Sequence, residues 1–223
     1  MNLILYALAP VAIILLYVYF RDKYEKETIG LLIKALLAGA AIVIPVIILE
    51  RFLSYLNPFE MNPLQGFWHA FVVAGFSEEL FKFAALYFLI WKNPNFNEKF
   101  DGIVYAVFIS LGFAGIENIL YVSEGGAAVA LTRAWTAVPA HAIFGITMGY
   151  YFGIARMYPE LRKSFLTKAL LFPVILHGIY DFILMAGIPI LLGLFIPFVF
   201  YLYYSGLKRM KVISDSSIFR DDD

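Results

Sequence analysis

The stretch Ser77-Glu78-Glu79-Leu80-Phe81-Lys82 puts three charges in the middle of an otherwise apolar run at residues 67–91. At 1.5 Å per helical residue that run is long enough to cross a bilayer. A charged side chain at the centre of a span costs about 2.5–3.5 kcal/mol, so the three together cost roughly 8–10. The twelve Phe, Val, Leu and Ile residues of the run return only about 4–7 kcal/mol, at ~0.3–0.6 each. Alone, the segment does not rest in lipid. It needs polar partners from other helices, which makes a buried polar site inside a helical membrane bundle the expected arrangement.

The rest of the chain fits that reading. Of 223 residues, 62% are hydrophobic and 15% charged, and the mean hydropathy is +0.79. A soluble domain is about half apolar and roughly a quarter charged. The formal net charge is zero, so no global field argues for a nucleic-acid partner. There is no cysteine, which excludes a disulfide framework, a thiolate metal site and a Cys nucleophile. Any metal must be held by His, Asp or Glu.

Hydropathy predicts an all-α polytopic bundle of about seven spans, at 3–20, 30–49, 67–91, 101–121, 136–155, 168–185 and 187–204. The last two are separated only by Ala186 and Gly187, which leaves open a re-entrant pair in place of two crossings. No Lys or Arg precedes the first run, whose charges (Arg21, Lys23, Lys26) follow it. It therefore reads as an anchor with the N-terminus outside. On that topology fourteen Lys and Arg fall on inside segments, only Arg51 and Arg133 fall outside, and Lys82 stays in the membrane. This positive-inside asymmetry places the C-terminus in the cytoplasm. Residues 1–204 then form one transmembrane domain and 205–223 a cytoplasmic polar tail, disordered over 214–223. The surroundings of the spans are membrane lipid.

Four spans carry ionisable groups at a similar depth. Glu78 and Lys82 are four residues apart, on one helical face and in the favourable order for an ion pair, while Glu79 points about 100° away. The bland alternative is a pair that merely pins two helices. Glu117 lies near the outer end of its span beside Asn118 and Tyr121, as a cluster member or as a snorkelling interfacial residue. His141 shares a four-residue stripe with Gly145, Gly149 and Gly153, the pattern that lets another helix approach closely. His177 and Asp181 share a face one turn after Pro173, so the carboxylate can orient the imidazole or both can enter the site. His69, beside Trp68, reads as an interfacial residue.

Glu78-Glu79-Leu80-Phe81-Lys82 has the form EExxK, residues 113–121 the form FAxxENxxY, His141-Ala142-Ile143-Phe144-Gly145 the form HAxFG, and His177-Gly178-Ile179-Tyr180-Asp181 the form HGxYD. In this order and spacing the four motifs resemble the PrsW family of bacterial intramembrane proteases, itself related to the CAAX prenyl protease and Abi group. The resemblance implies a peptidase of the bacterial cell membrane that makes the first, extracytoplasmic cut in a membrane-spanning anti-sigma factor. That cut starts the cascade that frees an extracytoplasmic-function sigma factor under envelope stress, such as antimicrobial peptides. The alternatives are a proton- or cation-coupled transporter, disfavoured by the lack of a visible internal repeat, and an Abi-type binder that does not cleave.

Peptide hydrolysis needs an activated water, a proton carrier and oxyanion stabilisation. The expected catalytic residues are Glu78 as general base, Glu79, which positions water or a ligand, and His177. Lys82, Asn118 and Asp181 support them. In a metal version His141 and His177, with Glu117 or Glu79, hold a divalent ion, expected to be zinc. In a metal-free version His141 orients the water while His177 and Asp181 serve the oxyanion. The grouping with metalloproteases favours the former, although no HExxH is present.

Overall fold

The computed structural model describes residues 3–61 and 63–220, and every regular element among them is helical. The chain runs α1 (Leu3–Arg21), α2 (Ile29–Ala41), α3 (Val43–Tyr55), α4 (Leu64–Phe67), a π-helical segment (Trp68–Phe76), α5 (Ser77–Ile90), α6 (Lys99–Trp135), α7 (Ala137–Met157), a 3₁₀ turn (Pro159–Leu161), α8 (Arg162–Met185) and α9 (Pro189–Asp215).

The organising element is α6. Residues 100–115 are all buried, which only a helix surrounded by others achieves, and its apolar residues run all round the helix in consequence. It can be surrounded this closely because the contacts are made by glycines. A Cβ added at Gly149 or Gly153 of α7 would collide with the backbone of α6 at Gly102 and Lys99. On the opposite side, a Cβ at Gly39 of α2 would meet the Ile109 carbonyl, and one at Gly112 the Leu36 carbonyl. The Gly145–Gly149–Gly153 stripe thus packs α7 on α6, as small-residue stripes do in membranes. Around this seam α1, α5 and α8 complete the bundle.

Two breaks interrupt the helices. Gly126 has φ 70° inside α6, a conformation that side-chain-bearing residues rarely adopt. The chain turns back there, so Ala130 buries against Val122 and against Ala7 of α1. The second break is the π-helical segment, which stops one residue before Ser77. Such wide turns are uncommon and concentrate at functional sites.

Five helical stretches among the described residues are long and apolar enough to cross a membrane: Leu3–Arg21, Ile29–Tyr55, Lys99–Met157, Pro159–Met185 and Pro189–Asp215. Seven were expected, and the difference has a physical origin. The 67–91 run is divided among α4, the π-helical segment and α5, and the Lys99–Met157 stretch of 59 residues contains the Gly126 reversal. The break after the sixth run lies at 186–188, between helices of 24 and 27 residues. The last helix, α9, continues past residue 204 to Asp215 and so includes the first part of the expected tail. Residues 221–223 of that tail lie outside the described residues.

Candidate active site

Ser77 through Lys82 open α5, where Ser77, Glu78, Glu79 and Lys82 are all buried. Lys82 Nζ donates to Glu78 Oε2 at 3.0 Å and to Glu79 Oε1 at 2.8 Å, and lies 3.1 Å from His141 Nδ1. Its ammonium also sits 4.4 Å from the centre of the Phe113 ring, a favourable cation–π distance. The predicted Glu78–Lys82 pair therefore forms, but as part of a three-way contact that also takes in Glu79 and α7.

His141 is fixed from three sides. An ammonium only donates, so Nδ1 accepts from Lys82 and Nε2 carries the ring proton; a metal bound through that Nδ1 would take the lone pair in place of Lys82. That Nε2 lies 3.0 Å from Glu117 Oε2. The backbone is held as well, since Ser110 Oγ of α6 donates to the His141 carbonyl at 2.6 Å. The His177 Nδ1 lies 3.0 Å from Glu79 Oε1 and its Nε2 3.4 Å from Asp181 Oδ2. The Phe144 ring stacks on the His177 imidazole at 4.9 Å, and the two imidazoles stand edge to face at 5.3 Å. Each histidine thus turns one nitrogen toward the glutamate pair and the other toward a carboxylate, Glu117 or Asp181.

Glu78, Glu79, His141 and His177 each offer one donor atom within 4.8 Å of the others. Two imidazoles and two carboxylates are a donor set suited to zinc, and the carboxylate behind each imidazole is the arrangement that orients metal-bound histidines. Glu79 Oε2 is buried without a hydrogen-bond partner, a lone oxygen that a bound cation would satisfy. Local charge points the same way: Glu50, Glu78, Glu79, Glu117 and Asp181 face only Lys82 and Arg133. The residues present fit a divalent metal. Glu117 is not one of the four; it lies on the far side of His141.

Asn118, expected in a supporting role, stands behind the site and shares Arg133 with Glu117. Its Nδ2 donates to the Ala7 carbonyl of α1 at 2.8 Å, and its Oδ1 accepts from Arg133 Nε at 2.7 Å. It ties α1 to the reversal that follows Gly126. Arg133 itself was counted only as an outside charge, yet its Nη2 donates to Glu117 Oε2 at 2.7 Å and its guanidinium lies 4.1 Å from the Tyr121 ring centre. The Gly125-Gly126 pair between Glu117 and Arg133 is the sequence signal that marks this return.

Glu78, His141 and His177 open onto a cavity of about 490 Å³. Its walls also carry Glu50, His69 and Arg133, so His69 stands at the rim of the cavity, 3.3 Å from Asn57 Nδ2. A buried glutamate pair, two carboxylate-oriented histidines and a cavity reaching them supply a base, a cation site and room for a peptide.

The comparisons with known proteins decide the family. Residues 27–205 match the family described as PrsW family intramembrane metalloprotease. This chain belongs to the PrsW family. Curated relatives named Protease PrsW are 39% identical in Halalkalibacterium halodurans, over 95% of this chain and 96% of the relative. The relative in Oceanobacillus iheyensis is 40% identical over 95% of both chains, and the one in Bacillus subtilis 36% identical over 92% of both. No solved structure matches. The chain is accordingly a membrane-embedded peptidase of a metalloprotease family, and the EExxK, HAxFG and HGxYD motifs of this PrsW chain are the three that meet around the candidate metal centre.

Proposed function

We propose that this protease is a zinc enzyme of the bacterial plasma membrane that makes the first cut in a membrane-spanning anti-sigma factor, on its extracytoplasmic side. The cut would start the release of an extracytoplasmic-function sigma factor under envelope stress. Residues 1–204 would be the protease unit, with seven crossings, the N-terminus outside and residues 205–223 inside. The observation that carries the catalytic part is the meeting of Glu78, Glu79, His141 and His177 in one buried group at a cavity wall.

Bound there, zinc would supply a Lewis acid and an acidified water. His141, His177 and Glu79 would hold the ion; Glu78, on the cavity wall, would act as general base, and Glu79, fully enclosed, holds His177 and Lys82 in place. Lys82 neutralises the two carboxylates and keeps them from repelling each other. Glu117 and Asp181 fix the outward nitrogens of His141 and His177, so both imidazoles keep their Nδ1 toward the centre. Phe144 and Phe113 cover the histidine and lysine faces and exclude bulk water.

The test is cleavage of a candidate anti-sigma factor by purified protein in detergent, with metal chelated and then restored. Cleavage is expected to stop with chelator and return with zinc. Full activity after thorough chelation, with metal shown absent, would overturn the zinc reading. Cleavage that persists in Glu78→Gln and His177→Ala would overturn the assignment of residues.

A further inference from the structure

Four carboxylates line the cavity: Glu50, Glu78, Glu117 and Asp181. Three have basic partners. Glu78 pairs with Lys82, Glu117 with Arg133 and His141, and Asp181 with His177. Of these four, Glu50 alone has neither an ion pair nor a hydrogen bond, and no basic side chain comes within 4 Å of it. It projects from α3, an element whose other polar charge, Arg51, faces away and is exposed. No sequence motif includes it.

An unpaired carboxylate on the wall of a half-enclosed, largely apolar cavity is costly to keep. A replacement by Gln or Leu would relieve that cost without disturbing any contact that Glu50 makes. The residues that line the cavity with it include Val43, Val46 and Ile47 of α3 and Val73 of the π-helical segment, apolar side chains that accept the stem of a long side chain. The arrangement is that of a specificity pocket: a cavity with apolar stretches of wall in which one of the four carboxylates is left without a basic partner, and which Glu78 and His177 also line.

We infer that Glu50 is a specificity-determining residue that receives a Lys or Arg side chain of the substrate next to the bond that is cut. This rests on the protease reading above. Arg133, the basic side chain on the cavity wall, is already engaged by Glu117 and Asn118, so the counter-charge for Glu50 comes with the substrate. The selectivity of such a contact is large, because a basic residue gains a partner while a neutral one leaves Glu50 desolvated and alone.

The experiment uses single-span peptides of one sequence that carry Arg, Gln or Glu in turn at each position flanking the outer membrane boundary. Binding is measured first, on full-length Glu78→Gln protein, which is expected to hold peptides without cutting them. At one position the Arg peptide is expected to bind about 10–100-fold tighter than its Gln counterpart. Adding Glu50→Gln should bring that ratio to about one, and adding Glu50→Lys should reverse it in favour of Glu. Thermal unfolding of each variant confirms that it is folded. Equal affinities at every position, or a preference for Arg that survives Glu50→Gln, would overturn the inference. Cleavage by the unmodified protein is scored separately by mass spectrometry. Binding selectivity without any cleavage would count against the protease reading and leave the role of Glu50 in recognition standing, whereas cleavage without selectivity would do the opposite.

Discussion

Arg133 donates to Glu117 across sixteen residues of chain, Nη2 to Oε2 at 2.7 Å, and the same oxygen lies 3.0 Å from His141 Nε2. In a straight helix the two residues would stand about 24 Å apart along the axis. The Gly126 reversal brings them into contact, and through Glu117 the guanidinium sets the tautomer and tilt of His141. Removing such an outer partner of a metal-binding histidine costs roughly 10–100-fold in metal affinity. Glu117→Gln is therefore expected to weaken zinc binding by that amount and Arg133→Met by about tenfold, with Arg133→Lys recovering part of the loss. Competition against a chelating dye checks this directly. Unchanged affinity in both variants would show that His141 does not depend on them.

Lys82 is enclosed on all sides, with both of its carboxylate partners buried. Breaking a buried pair by removing one member costs about 3–5 kcal/mol, since the other is left uncompensated. Lys82→Met should lower the unfolding temperature markedly in the metal-free protein. Added zinc should restore part of it, because a cation returns to the glutamates. Thermal unfolding with and without metal measures both effects. A Lys82→Met protein as stable as the parent would mean that the two glutamates are not both charged.

The α6–α7 seam gives a steric prediction. Gly149→Ala places a methyl group against the Gly102 carbonyl, and overpacking of this kind costs about 1–3 kcal/mol. It should also reduce cleavage, since pushing α7 outward carries His141 away from Glu78. Gly193→Ala is the control, because a Cβ there meets nothing within 4 Å. Equal stability of the two variants would refute the seam.

Outside the spans, the loop after α1 carries a pH-dependent element. Burial pushes the Asp22 carboxyl from its ordinary 3.8 up to about 7, with Lys26 opposing the rise and Glu98 adding to it. Both of its oxygens are buried without partners. Since the folded state holds this proton more tightly than the unfolded chain, its contribution is full below about pH 4. It declines as pH rises through the interval to about 7 and is gone above that. Asp22→Asn removes the decline, so the variant should gain in unfolding temperature at pH 8 relative to the parent and gain little at pH 4. Parallel unfolding curves for the two proteins across that range would contradict it.

Much of this architecture was legible because charge inside an apolar run has few explanations. Glu78, Lys82, His141 and His177 stood out as intramembrane ionisable groups, and the glycine stripe after His141 announced the face that α7 presents to α6. Asp181 was found by its four-residue spacing from His177. Glu117 was found too, but spacing could not say whether it would hold a metal or stand behind a histidine, because that depends on which imidazole nitrogen faces inward. Asn118 was found by adjacency to Glu117, but spacing could not show its partners, the Ala7 carbonyl of α1 and Arg133. Arg133 and Glu50 escaped notice for one reason. Both lie near predicted span ends, where a charge needs no explanation until the chain reversal or the cavity is seen. The π-helical segment has no local sequence signature and is imposed by packing, with Gly75 close to the α8 backbone at Gly178 and Val174.

The glycine seam around α6 also bears on how a substrate gets in. Where backbone rests on backbone there are no side chains to swing aside, and any widening must move whole helices at once. The α2–α6–α7 unit is therefore a keel, and admission falls to the elements set around it. The cavity wall contributed by α3 presents side chains, Val43, Val46, Ile47 and Glu50, and side chains can change rotamer in nanoseconds while the keel stays still. A peptide that must be unwound before it is cut meets, on this side, a soft door hung on a rigid frame.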